Sequence, residues 1–239
     1  MKGLIIAAGQ GTRIKDKGDC KPLIPLLDKP LIERVISTAY EGGVDSFVVV
    51  TGYKHNELAA FLEDLSQQTN IPISVIYNEE WTKENGISVL KAQSLMTERF
   101  VLMMSDHMFD SYVISKLLKA DLGNQDNLNT YLCVDKHLKN PLVDLDDVTK
   151  VLEKEGKIVD IGKTIENYNS FDTGIFCCAL EIFEALKKSS FIYGDTSLSG
   201  AMRILGTEGK ARVFDITGAF WVDVDNAEMY EKAASYLSK

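Results

Sequence analysis

The run Lys2-Gly-Leu-Ile-Ile-Ala7 is apolar from Leu4 onward and passes directly into Ala8-Gly9-Gln-Gly11, and this junction limits the possible folds more than any other stretch. Leu4 to Ala7 shows no alternation with polar residues, so the strand it forms is buried on both faces, as strands of parallel sheets are. Gly9 and Gly11 free the backbone beyond the strand to approach a ligand closely. Backbone N–H groups there can face phosphate oxygens, with Thr12 in the same turn. Arg13 adds a planar fork suited to phosphate and Lys21 a compact point charge, so the two cations can serve different phosphoryl groups. A pair of glycines alone is equally compatible with an ordinary strand-turn-helix carrying surface cations. The stretch is neither of the common phosphate loops. No Lys-Ser/Thr follows the second glycine, and no acidic residue closes a dinucleotide-type unit some ~20 residues on.

Strand-like and helix-like periods alternate along the chain, which is the mark of a mainly parallel sheet covered by helices. Strands are expected at 2–7, 46–51, 73–77, 100–104 and 130–134. Leu31, Ile32, Val35, Ile36 and Ala39 repeat with a helical period, as do Leu58, Phe61, Leu62 and Leu65, and all of these read as core. The expected class is therefore α/β, a Rossmann-like, mostly parallel central sheet flanked by helices. Past residue 135 the alternation weakens. The acidic stretch Asp144-Leu-Asp-Asp147 precedes a hairpin whose turn falls near Glu155-Gly156, which reads as a substrate-facing β insertion. No repeat or Pro/Ser-rich linker divides the chain. One continuous domain over 1–239 is expected, with a first part at about 1–134, a second at about 135–225 and a C-terminal helix at about 226–237.

Asp106 follows the run Phe100 to Met104, so its carboxylate should emerge at the same sheet edge as the glycine loop. That is a suitable place for a Mg²⁺ ligand, because magnesium is held by one or two carboxylates together with substrate phosphates. An Asp after a strand is equally a helix N-cap. In Trp221-Val-Asp-Val-Asp225, Asp223 and Asp225 share one face if the segment is extended. Asp225 and Asn226 compete to cap the helix that follows. His107 sits beside Asp106 and could orient a ligand, whereas His55 falls at a helix start and His137 in a loop, so no catalytic triad is indicated.

Gly9-Gln-Gly-Thr-Arg13 with Lys21-Pro22 resembles the signature of the sugar-phosphate nucleotidyltransferases, Gly-x-Gly-x-Arg followed by Lys-Pro. The resemblance continues through Ser105-Asp-His107, Ile161-Gly-Lys163, Asp172-Thr-Gly174 and Trp221 to Asp225, nearly the whole chain. Within the superfamily the likeness is greatest to the CTP:inositol-1-phosphate cytidylyltransferases. It implies that Ala7, Ala8 and Gly9 with Asn85, Gly86 and Ser88 hold the base and ribose. It also implies that Lys163 meets the acceptor phosphate and that Asp172, Thr173 and Gly174 line the acceptor pocket, so that 1–239 is a single catalytic domain with a nucleotide-binding part at about 1–134 and an acceptor-binding part at about 135–225. Asp106 and Asp223 would then hold the metal, ahead of Asp225. Thr196-Ser-Leu-Ser199 is followed by Gly200, where such relatives tend to carry an acidic residue.

The net charge of −9 argues against nonspecific binding to nucleic acid or anionic membrane, so anionic substrates must be met by local cations or metal. Cys20, Cys133, Cys177 and Cys178 lack zinc-finger spacing and read as reduced thiols. No stretch approaches the ~20 apolar residues of a bilayer span and the start lacks a signal-peptide pattern, so a cytoplasmic protein is expected. A nucleoside triphosphate in the loop and a phosphate monoester near Lys163 specify attack on the α-phosphorus with loss of pyrophosphate. Arg13 is assigned to the β- and γ-phosphates, Lys21 to the transferring and acceptor phosphates and Lys163 to the acceptor phosphate, as the catalytic cations. Phosphocholine or a sugar 1-phosphate with CTP, UTP or dTTP is the alternative, and a nucleotide-sensing module without catalysis is the alternative of another class. The resemblance also implies a separate membrane alcohol-phosphate transferase as consumer of the product. Oligomeric state leaves no trace in the sequence.

Overall fold

A computed structural model describes residues 1–120 and 128–238. The chain runs through β1 (Lys2–Ala7), the small hairpin β2 (Pro25–Leu26) and β3 (Lys29–Pro30), and α1 (Leu31–Glu41). β4 (Ser46–Thr51), α2 (His55–Thr69), β5 (Ile73–Tyr77), α3 (Asn85–Lys91) and β6 (Phe100–Met104) follow. Next come β7 (His107–Phe109), α4 (Ser111–Lys119), β8 (Thr130–Asp135), β9 (Lys150–Lys154), β10 (Lys157–Gly162) and β11 (Ser170–Cys178). The last elements are α5 (Glu181–Tyr193), α6 (Leu198–Thr207), β12 (Ala211–Asp215), β13 (Trp221–Asp223) and α7 (Ala227–Leu237).

The main sheet has the order β5-β4-β1-β6-β11-β8-β12-β10-β9. β5, β4, β1 and β6 are mutually parallel, with Leu4 opposite Val48 on one side and Leu102 on the other. β11 enters antiparallel between β6 and β8. β9 also pairs with β11, at Ser170 and Phe171, so the last five strands curl back on themselves.

The apolar run in β1 is buried on both faces because helices cover both. Ile5 with Val49 and Met103 packs beneath α1, α2 and α4, against Val35, Leu62 and Ile114. Leu4 and Ile6 with Val50 and Leu102 pack on the opposite face against Val89, Ile182 and Met202 of α3, α5 and α6. The helical-period residues Leu31, Ile32, Val35, Ile36 and Ala39 all lie in this core, as do Leu58, Leu62 and Leu65. The expected strands form, the fifth extending one residue to Asp135. The expected hairpin is β9–β10, and its turn places Glu155 and Gly156 at positive φ. Among the described residues no helix is long and apolar enough to cross a membrane.

The 136–149 segment between β8 and β9 has no regular structure but is tied down at both ends. Buried Asp135 accepts from the His137 N–H, from Asn140 Nδ2 and from the Trp221 indole. Asp144 accepts from Asn226 Nδ2 at 3.0 Å, joining the segment to the start of α7.

Candidate active site

The glycine loop leaves β1 at the carboxyl edge of the parallel strands, where such sheets place ligands. Gly11 has φ 62°, and a Cβ there would lie 2.4 Å from Cβ of Lys21. Glycine is therefore what lets the Lys21 stem cross under the loop. Lys21 opens a short 3₁₀ turn, Lys21–Leu23, and is only 6% exposed. Its ammonium donates to Asp106 Oδ2 at 2.5 Å and to Asp225 Oδ1. Arg13, in the turn Thr12–Ile14, donates to Asp225 Oδ2 at 2.5 Å and to Asp147 Oδ2 at 3.0 Å. Lys163, just beyond β10, donates to Asp147 Oδ1 at 2.6 Å.

Asp106 and Asp223 come together because β7 pairs antiparallel with β13, with His107 opposite Asp223. The Val224 N–H donates to the Asp106 carbonyl at 3.0 Å, which extends that register. His107 Nδ1 lies 2.8 Å from the Thr173 carbonyl. A carbonyl can only accept, so Nδ1 carries the proton and Nε2 faces Asp223 Oδ2 at 3.4 Å and Asp106 Oδ1 at 3.9 Å. Gly174, at φ 75°, leaves room for this ring: a Cβ there would lie 2.2 Å from Nδ1.

Charges in this cluster control one another. Burial opposes the Lys21 ammonium, but Asp106, Asp223 and Asp225 more than offset it and hold its pKa above the usual lysine value. Burial also opposes the Asp106 and Asp225 carboxylates, yet Lys21 keeps both below the ordinary aspartate range. Burial pushes Asp223 upward. Burial likewise opposes a charged His107, and its contacts with Asp223 and Asp106 reverse this, raising it to about 10. Asp172, facing the interior of the cleft, is pushed up to about 6 by burial.

Two overlapping sets of groups have their nearest ligand atoms within 4.8 Å of one another: Asp106, His107 and Asp223, and Asp147, Asp223 and Asp225. Asp223 Oδ1 is buried without a hydrogen-bond partner. An acceptor left bare among carboxylates fits a hard, oxygen-seeking cation, so the residues present suit a divalent metal.

Two cavities meet here. One, of about 350 Å³, is lined by Ala7, Ala8, Gly9, Gly11, Thr12, Arg13, Lys21, Asn85, Ser88 and Asp106, with Trp81 and Lys83. The other, of about 180 Å³, is lined by His107, Asp144, Asp147, Thr149, Lys163, Asp172, Gly174, Ser199, Trp221 and Asp223. Asn85, Met104 and Asp225 belong to both.

Most of the expected site residues are thus brought together, two need correction, and the choice of cap for α7 is resolved. Thr173 turns away: its side chain is fully buried and donates to the Cys133 carbonyl, and only its own carbonyl serves the site, through His107. Gly86 lies behind the nucleotide cavity, where a Cβ would lie 2.3 Å from the Thr196 carbonyl oxygen, so its role is packing. Asp225 does not cap α7; Asn226 does, accepting from the Met229 N–H at 3.0 Å. Asn85 also caps, its Oδ1 accepting from the Leu198 N–H at the start of α6. Gly200 is closely packed, since a Cβ there would lie 2.4 Å from Ser189 Oγ and 2.5 Å from Asp195 Oδ2, a carboxylate that holds Arg203. Sequence reasoning missed the placement of Asp147, Asp144 and Trp81. Asp144 and Asp147 were visible only as an acidic stretch, and Trp81 stands in a segment with no period to place it.

A glycine-loop cavity beside a carboxylate pair, on this sheet, defines a nucleotidyltransferase. Residues 3–154 match the MobA-like NTP transferase domain, and the chain belongs to that family. It is 32% identical to the bifunctional IPC transferase and DIPP synthase of Aquifex aeolicus (strain VF5), over 99% of this chain and 51% of that protein. The protein of the same name from Rubrobacter xylanophilus is 29% identical, over 94% of this chain and 49% of its own. The chain thus spans about half the length of these curated relatives. Among solved structures it resembles the inositol-1-phosphate CTP transferase from T. maritima, with a TM-score of 0.83, 26% identity, and 100% and 96% of the two chains covered. A putative glucose-1-phosphate thymidylyltransferase from Bacillus anthracis, 16% identical with a TM-score of 0.83 over 99% and 94% of the two chains, shares the fold.

Proposed function

We propose that this chain transfers a cytidylyl group from CTP to inositol 1-phosphate, giving CDP-inositol and pyrophosphate. The observation that carries the proposal is the pair of cavities with a common wall at Asn85, Met104 and Asp225, one beside the glycine loop and the other beside Lys163 and Asp172. Two substrates bound there have their reacting ends at the wall, next to Lys21. The relatives' names supply the acceptor class. The unbroken sheet from β5 to β9 supports treating both cavities as parts of one catalytic unit.

In this reading a phosphate oxygen of the acceptor attacks the α-phosphorus of CTP. A P–O bond forms, the bond to the β-phosphate oxygen breaks, and the electron pair leaves with pyrophosphate. A phosphate monoester has its second pKa near ~6 and is mostly a dianion at neutral pH, so the chain need not supply a general base. Its task is to hold two polyanions in line and neutralise them. Arg13 meets the β- and γ-phosphates, Lys21 the transferring group and Lys163 the acceptor phosphate. Asp172 and Asp144 accept from ring hydroxyls. Mg²⁺ held by Asp106 and Asp223 would add charge neutralisation at the α-phosphate.

Phosphocholine is the second reading. Asp144 and Asp172, which would accept hydroxyls, would equally face a quaternary ammonium, with Trp221 as an aromatic wall. Pyrophosphate release should be measured with Mg²⁺ for CTP, UTP, dTTP, ATP and GTP against inositol 1-phosphate, phosphocholine and glucose 1-phosphate. Turnover confined to CTP with inositol 1-phosphate is the expected result. A preference for another pair replaces the substrate assignment and keeps the chemistry.

A further inference from the structure

Asp147 occupies a position that none of the assigned roles explains. Its two carboxylate oxygens are divided between two cations that the proposed reaction gives to different substrates: Oδ2 accepts from Arg13 at 3.0 Å and Oδ1 from Lys163 at 2.6 Å. Arg13 lines the nucleotide cavity, whereas Lys163 and Asp147 line the acceptor cavity. The carboxylate also has two others close by, with ligand atoms of Asp147, Asp223 and Asp225 mutually within 4.8 Å. Like charges at that distance repel, so the two cations are what hold Asp147 in place.

We propose that Asp147 is an internal stand-in for substrate phosphate, clasping Arg13 to Lys163 in the free protein so that capture of the acceptor depends on prior binding of the nucleotide. The inference rests on the substrate assignment above. A triphosphate is a far stronger partner for Arg13 than one shared carboxylate. Once the triphosphate takes Arg13, Asp147 has lost one of its two cations and gained a polyanionic neighbour beside Asp223 and Asp225. That polyanion repels Asp147 and competes with it for the Lys163 ammonium, so the pair loosens at the moment the acceptor needs Lys163. The surrounding segment permits a local release. Asn226 holds Asp144, whose carbonyl accepts from the Asp147 N–H at 3.2 Å, so release requires only a turn of the Asp147 side chain. The order imposed is nucleotide first, then acceptor.

The test is a thermodynamic coupling measured without turnover. Affinity for inositol 1-phosphate is measured by calorimetry with Mg²⁺, in the absence and presence of a CTP analogue bearing a methylene between the α- and β-phosphorus. In the wild type the analogue should tighten acceptor binding by about fivefold, the lower range of linked binding sites. In Asp147→Asn, which keeps the shape and removes the charge, nucleotide-free protein should bind the acceptor about as tightly as the wild type does with the analogue, and the coupling should vanish. An equal coupling in wild type and Asp147→Asn overturns the clasp. So does a variant whose only change is a higher Mg²⁺ requirement for analogue binding, which makes Asp147 a metal ligand instead. Failure of the wild type to bind inositol 1-phosphate under either condition overturns the substrate assignment itself.

Discussion

The two halves of the main sheet build their cavities by different means. On the β5-β4-β1-β6 side, strands are parallel, helices cover both faces, and much of the cavity wall is main chain and small side chains: Ala7, Ala8, Gly9 and Gly11. On the β11-β8-β12-β10-β9 side, strands run mixed and curl. Much of the cavity wall there is charged side chains, among them Asp144, Asp147, Lys163 and Asp172, carried by a loop and strand ends. A backbone wall is suited to the part that every nucleoside triphosphate has in common, and a side-chain wall can change with the acceptor. In the proposed reaction the first side holds the nucleotide and the second the acceptor.

The comparison is broken most directly where the sides meet. Asp106→Ala or Lys21→Ala should lower turnover by about a hundredfold or more, the scale of removing one preorganised charged group, with the fold intact by circular dichroism. A folded Asp106→Ala protein with near wild-type turnover would remove the metal assignment. Next in size, Lys163→Ala should raise the acceptor KM by roughly tenfold, the worth of one charge-assisted hydrogen bond, and change nucleotide affinity by less than that. A rise in the CTP KM of the same size would mean that the two sides are not divided as described.

Gly11→Ala tests the backbone wall. With φ at 62° and its new Cβ against the Lys21 stem, it should cost about 1–3 kcal/mol in thermal or urea unfolding. CTP affinity should weaken as well, since Lys21 must shift.

The effect at Asp172 depends on pH and vanishes in acid. Its folded pKa of about 6 lies above the ordinary 3.8, so the folded protein binds the proton more tightly than the unfolded chain. This side chain therefore leaves stability intact below pH 3.8 and reduces it as pH rises through 6. Asp172→Asn should be more stable than wild type by about 1–3 kcal/mol at pH 8, with the gain gone near pH 4. Its acceptor KM should rise at the same time. No stability gain at pH 8 would mean that the carboxylate is adequately solvated in the cleft.

The halves also differ in how far the sequence disclosed them. Leu4 to Ala7 and the helical stripes at Leu31–Ala39 and Leu58–Leu65 announce their elements because burial imposes a period, and the glycine loop has no structural reason to carry Arg13 and Lys21 together. Asp106 was legible from its place after β6. The pairing of β9 with β11 was not, because long-range antiparallel contacts leave no local period. Asp147 was visible only as one acid among several, since its meaning depends on Arg13 and Lys163, which are remote from it in sequence. Thr173 shows the opposite error, where a residue inside a recognised motif turns its side chain inward to the Cys133 carbonyl.

The wall at Asn85, Met104 and Asp225 has a consequence for redesign. A substitution in a partition is felt in both rooms, and Asn85 additionally holds the first turn of α6. Retargeting the protein to a new acceptor by changing these residues would disturb the nucleotide as well. In the proposed reaction the better positions lie on the far side of the acceptor cavity, at Thr149 and Ser199, because Asp144 also holds Asn226 at the start of α7 and Asp172 also bears on stability.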